Sequence, residues 1–173
     1  MKNKVKLSFL LAVSVLLLSN AGFAENYIQL SLLPTAQLVP ENESISGLRL
    51  CVYGKNTSLQ GLDFGLVCHL TKPSVGFQHS IVGYNESDFS GWQENFVSIV
   101  KGNFTGLQGG AYTESKKLTG IQYGFINIAS SVEGLQYGIY NQADNLKGIQ
   151  IGLINVIKNN GFMPLFPIVN WSL

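Results

Sequence analysis

Few residues of this chain have the type and spacing that could do chemistry. His79 and Glu94 occupy equivalent places in two successive copies of a repeat, and they are the one imidazole–carboxylate pairing with a proton-transfer character. The simpler reading is structural: two polar side chains easing each other on an otherwise apolar face. His69 and His79 have no cysteine or carboxylate at ligand spacing, so no metal site is expected. No Gly-x-Ser-x-Gly, phosphate loop or dinucleotide fingerprint occurs. The two cysteines, Cys51 and Cys68, fall four and seven residues after their repeat glycines. That spacing puts them on opposite faces of a strand, and they are expected to stay unpaired. No catalytic residue, cofactor or metal is expected.

The elements that would position these groups come from the repeat. Its clearest copies are Gly120-Ile121-Gln122-Tyr123-Gly124-Phe125-Ile126-Asn127 and Gly134-Leu135-Gln136-Tyr137-Gly138-Ile139-Tyr140-Asn141. The leading glycine recurs at 47, 61, 76, 91, 106, 120, 134 and 148, always 14 or 15 residues on. A fixed period with a fixed residue code means one structural unit copied along the chain. It also argues against an enzyme. A catalytic site needs different groups to converge, and a repeat supplies the same groups over and over.

With the leading glycine as position 0, positions 1 and 5 are apolar almost throughout and position 3 is mixed. Position 2 is Arg49, Asp63, Gln78, Gln93, Gln108, Gln122, Gln136 and Gln150. Side-chain amides in such a column can bind a ligand, but they more readily satisfy one another, so the column is read as a structural ladder. Arg49 and Asp63 would face each other across adjacent strands. Alternation of period two over about ten residues predicts one strand per repeat, and polar stretches such as Gln142-Ala143-Asp144-Asn145 predict turns. The pattern is weakest over residues 91–113, where Glu94, Asn95, Ser98 and Gly109 depart from it.

Tyr27 to Pro34 and Phe162 to Leu173 read as further strands at the two ends, making ten in all. The last of these alternates Leu165, Pro167, Val169, Trp171 and Leu173, with an aromatic third from the end. The leading expectation is therefore an all-β, ten-stranded antiparallel meander closed into an outer-membrane barrel, with the odd face towards lipid. Closure would remove the exposed sheet edges. The alternative is a β-solenoid with one repeat per coil, which the fixed glycines, the glutamine ladder and the proline-blunted ends also suit. Against the barrel stand Glu94 and His79 on the lipid side and Pro34, Pro164 and Pro167 in the strands that would have to pair. Against the solenoid stand polar connectors that make poor strand material.

Lys2, Lys4 and Lys6 precede an apolar run, Leu7 to Leu18, and Gly22 and Ala24 form a small-residue cleavage site. Residues 1–24 are thus read as a signal peptide and 25–173 as a single β-repeat domain. Without the leader, eight Lys plus Arg stand against ten Asp plus Glu. No basic stripe for nucleic acid is present. The expected partner is outer-membrane lipid, with a protein or host-surface partner as the other possibility. The expected location is the outer membrane or cell surface, with the periplasm as the alternative.

The Gly-Leu-Gln-x-Gly-x-x-Asn repeats resemble the surface-repeat family of leptospiral and other Gram-negative exported proteins. Ser46-Gly47-Leu48-Arg49-Leu50, Tyr53-Gly54-Lys55-Asn56, Phe104-Thr105-Gly106-Leu107-Gln108 and Phe166-Pro167-Ile168-Val169-Asn170-Trp171 are similar to one gammaproteobacterial branch of it. The resemblance implies an exported, surface-associated protein with a structural or interaction role. Some members carry a polyhydroxyalkanoate-synthase label. This chain lacks the Gly-x-Cys-x-Gly nucleophile elbow that such an enzyme would need.

Overall fold

Every strand that carries a repeat lies parallel to the next and in register with it. In the computed structural model, which describes residues 26–172, the strands are β1 (Asn26–Leu33), β2 (Ala36–Gln37), β3 (Ile45–Asn56), β4 (Leu59–Leu70), β5 (Ser74–Asn85), β6 (Phe89–Ile157) and β7 (Leu165–Ser172). The signal-peptide reading lies outside the described residues. Gly47 pairs with Gly61, Gly61 with Gly76 and Gly76 with Gly91. The 69-residue β6 carries the last five repeats without a break, stacked on one another in the same register. The fold is a β-solenoid with one repeat per coil, and no helix occurs among the described residues.

This corrects the barrel and the antiparallel meander. The sheet order is β2-β1-β3-β4-β5-β6-β7, so the end strands β1 and β7 lie at opposite ends and cannot close a barrel. The physical reason is a change of parity within each repeat. Positions −2, 2 and 4 face inward, but so do 7 and 9, as Leu118, Gln122, Asn127 and Ala129 show. Positions 5 and 6 therefore both face outward. Phe125 is 63% and Ile126 40% exposed. Two successive outward residues mark one bend of the coil, and the leading glycine, with its positive φ, marks another, so a coil can close in 14 residues. A straight membrane-spanning strand would keep one parity throughout.

Within β6 the polar connectors are part of the strand, whereas between β3, β4, β5 and β6 they are breaks of two or three residues. Ala143 and Leu146 point in, while Asp144 pairs outside with Lys158 at 2.7 Å and Asn145 with Asn159 at 3.2 Å. Like residues stacked in register make their polarity an asset. The apolar core lies on this side, built from Ile45, Leu59, Phe89, Phe104, Leu118 and Leu146 at position −2 against Leu70, Val100, Ala129, Ala143 and Ile157 at position 9. The Phe89 and Phe104 rings stack 6.0 Å apart. Full burial of each large side chain contributes about 1.5–3 kcal/mol.

The glycines permit the coils to stack. Gly120 has φ 129°, and a methyl group on its Cα would collide with the Gly106 carbonyl oxygen. The same clash would occur at each leading glycine from Gly61 onward with the one before it. Any side chain there would force two coils apart.

Both ends are capped. β1 lies parallel on β3 and places Gln29 against Arg49, so it is a degenerate coil that extends the ladder. β2 turns back antiparallel on β1. At the other end β7 runs antiparallel to the last coil, with Gln150 opposite Asn170, and Pro167 falls at a break in that pairing. A covered or proline-blunted edge offers little template for further strands.

Spin labels at Thr119 and Glu133 provide a direct check. In the stacked fold these residues are one strand spacing apart, roughly 5 Å between backbones. Strong dipolar broadening is expected between them. A separation of about one strand length, roughly 30 Å, would restore the meander.

Candidate functional site

The eight position-2 residues form one buried column inside the coils. Gln78 donates to Asp63 at 2.8 Å and Gln93 to Gln78 at 2.8 Å. Gln108, Gln122, Gln136 and Gln150 continue the chain at 3.1, 3.0, 2.7 and 2.7 Å. From Gln108 onward each amide nitrogen also reaches the carbonyl six residues ahead in its own coil, as Gln136 does with Gln142. One amide thus braces neighbouring coils and the two walls of its own coil, which satisfies a polar group deep in the interior. The chain of donors ends at Gln150, whose Oε1 has no partner.

All these glutamines donate towards the N-terminus, and Asp63 collects the last bond. Arg49 reaches Asp63 from the other side. Its Nε and Nη2 each bond a different carboxylate oxygen at 2.7 Å, and both side chains are fully buried. Its Nη1 donates to Asn56 and the His69 carbonyl. Burial opposes the Arg49 charge, but attraction and hydrogen bonding from Asp63 outweigh it and raise its pKa. The pair is where a ladder of amides meets an acceptor-only group that needs donors on both sides.

A second interior column runs at position 7. Asn127 donates to Asn141 and Asn141 to Asn155, both at 2.8 Å, towards the C-terminus. Gly138 and Gly152 at position 4 make room for these amides. In the first coils the same space holds Cys51 and Cys68, whose sulfurs lie 3.3 Å apart. The expectation that they sit on opposite faces is corrected. The parity change brings positions 4 and 7 to the same interior, and the outward pair at positions 5 and 6 is the sequence signal that reveals it. Cys51, Asp63 and Cys68 present three potential metal-ligand atoms within 4.8 Å of one another. Both Asp63 oxygens are already engaged by the Arg49 guanidinium, whose positive charge opposes a cation there.

The outer surface holds the other candidate site. Positions 1, 3 and 5 form three exposed columns down one side of the solenoid. Between columns 3 and 5 runs a groove of about 990 Å³, floored by the backbone at position 4. Leu66, Ile81, Phe96, Phe125, Ile139 and Leu153 make one wall. His79, Glu94, Tyr123, Tyr137 and Ile151 make the other, and Ile168 of β7 lines the groove as well. Ile168 has φ 70°, a conformation that is an outlier for a β-branched residue, and it is 70% exposed.

His79 and Glu94 are strand neighbours in register. Glu94 is bound elsewhere: it accepts from Trp92 at 3.3 Å and from the Tyr123 hydroxyl two coils away. Gly109 makes this contact possible. A methyl group there would lie 2.6 Å from the Tyr123 Oη and 2.7 Å from Glu94 Oε2. Burial, then its bond to Glu94, raises the Tyr123 pKa and keeps the phenol a donor. Residues 91–113 are thus regular strand: Glu94 and Gly109 belong to a polar cluster beside the groove, while the side chains of Asn95 and Ser98 are buried inside the coil, where Asn95 donates to Ser98 and Ser98 to the Gly109 carbonyl.

Apart from His79 and Glu94, charge lies outside these three columns: Lys101 with Glu114 at 2.6 Å, Lys147 with Glu133 at 3.5 Å and Lys158 with Asp144 at 2.7 Å. The coil is amphipathic in cross-section. Comparison with protein-family models, with curated proteins and with solved structures finds no match to this chain.

Proposed function

We propose that this protein is an exported, surface-associated β-solenoid with a non-enzymatic interaction role, and that it rests its apolar side on the lipid of the outer membrane. The observation that carries the reading is the segregation of the coil surface. Three columns of mainly apolar side chains, including Trp92, Phe96, Phe125 and Tyr137, are exposed on one side, while the ion pairs of the later coils lie outside these columns. Soluble monomers rarely leave so large a contiguous apolar face open to water. Tyr and Trp, apolar in body with one polar tip, suit a membrane–water boundary. The face carries no lysine or arginine, so attraction to anionic headgroups is not its driving force. The resemblance to exported surface repeats supports the same placement.

Flotation with neutral phosphatidylcholine vesicles tests this, using protein that begins at Glu25 so that the apolar leader takes no part. The wild type is expected to float, with little dependence on salt. Phe96→Ser with Phe125→Ser removes two rings that are 64% and 63% exposed and is expected to weaken binding at least tenfold. Its melting curve should be unchanged, because neither ring is in the core. A wild type that stays in the aqueous fraction would sink the lipid reading.

The concavity of the groove favours a second reading, a binding or adhesion module that holds an extended apolar segment of another protein. It predicts a soluble protein that ignores vesicles but loses partner binding with the same two substitutions.

A further inference from the structure

Cys51 and Cys68 are the only cysteines of the chain. Both are buried, Cys51 on β3 and Cys68 on β4, one coil above the other. Their sulfurs are 3.3 Å apart. The surroundings make room for the two sulfur atoms. A methyl group on Gly65 would strike the Cys51 sulfur and lie 3.0 Å from that of Cys68, and one on Gly54 would lie 3.0 Å from the Cys51 sulfur. The later coils fill the corresponding space with hydrogen-bonded asparagines, which hold neighbouring coils together through side chains. The first two coils have no such bond at this position, only the two thiols.

We propose that Cys51 and Cys68 form a disulfide that staples the first coil to the second when the chain folds in the presence of a disulfide oxidant. In the exchange, the Cys51 thiolate attacks one sulfur of the oxidant's disulfide and releases its first thiolate. The Cys68 thiolate then attacks the Cys51 sulfur of the mixed disulfide and expels the second. Two protein thiols are oxidised, the oxidant is reduced to two thiols, and the two protons pass to the released thiolates. In the wound solenoid the two thiols share one hydrogen bond, which lowers the pKa of Cys51 against the effect of burial and, with burial, raises that of Cys68. Cys68 has no exposed surface in the wound solenoid, so the exchange takes place before the coils close over it. The bond would enclose the segment between the two coils and remove part of the freedom of the unfolded chain. It lies beside the Arg49–Asp63 pair, so the staple and the ion pair brace the same junction.

The experiment refolds the full chain from denaturant with oxidised glutathione as the probe oxidant, followed by alkylation under denaturing conditions and mass spectrometry. The expected product is a monomer with no alkylated cysteine, lighter by the mass of two hydrogens, that yields one cross-linked peptide pair. Reductant should then lower its melting temperature by on the order of 5–10 °C. The Cys51→Ser/Cys68→Ser double variant should show no response to reductant. Two alkylated thiols, a retained glutathione adduct or a cross-linked dimer would each overturn the proposal. None of these readings depends on lipid binding or on export.

Discussion

Replacing Arg49 with Gln is expected to destabilise the protein by about 3–5 kcal/mol, and replacing Asp63 with Gln by a similar amount. Each change leaves one fully buried charge without its counter-charge, although an amide still stands opposite it. The double change should recover most of the loss and come within about 1 kcal/mol of the wild type. The reason is the ladder. Six later coils place Gln at this position, and each donates to the residue before it. Glutamine at both positions would extend that column through the first two coils without a break. Chemical denaturation of the four proteins measures the coupling. Additive losses would mean that the two charges do not act on each other and that the first coils have a different interior from the later ones.

The second large effect belongs to Gly120. Gly120→Ala is expected to cost at least about 3 kcal/mol and to unwind the solenoid locally. Two independent causes act together. The backbone there has φ 129°, which L side chains rarely adopt, and the added methyl group meets the Gly106 carbonyl oxygen, not a side chain that could swing aside. Ile126→Ala in the same repeat is the control. Its side chain points outward, and its loss should be well under 1 kcal/mol. Amide hydrogen exchange should show lost protection centred on the coils that hold Gly106, Gly120 and Gly134, since neighbouring coils depend on each other. An alanine variant as stable as the wild type would show that the coils can separate there without cost.

These two predictions mark how far the sequence could be followed. The repeat glycines, the glutamine column and the Arg49–Asp63 neighbours are all legible as equivalent positions in successive copies. Stacking in register places such positions together whether the strands run parallel or antiparallel. The direction of stacking was not legible for the same reason, because position 2 meets position 2 either way. Gln29 could have been found as an extra rung, since Tyr27-Ile28-Gln29 matches positions 0 to 2 with tyrosine for the glycine. The longer insertion before Gly47 hid the period.

The sequence by itself determined that the chain is built of β units with a 14–15-residue period, and which residues share a column. Local alternation and side-chain size decide those features within each copy. The tertiary structure decided which side of the coil is interior. Phe125 and Ile126 are both apolar, and local preference would bury them, yet both face outward, at a bend that helps to close the coil. The same bend turns Cys51 and Cys68 to one interior and sets the polar connectors beside the apolar core. It also leaves the columns at positions 1, 3 and 5 open as the groove face. Closing a coil and stacking it on the next are properties of the whole repeat array, and no window of residues short enough to show a strand contains them.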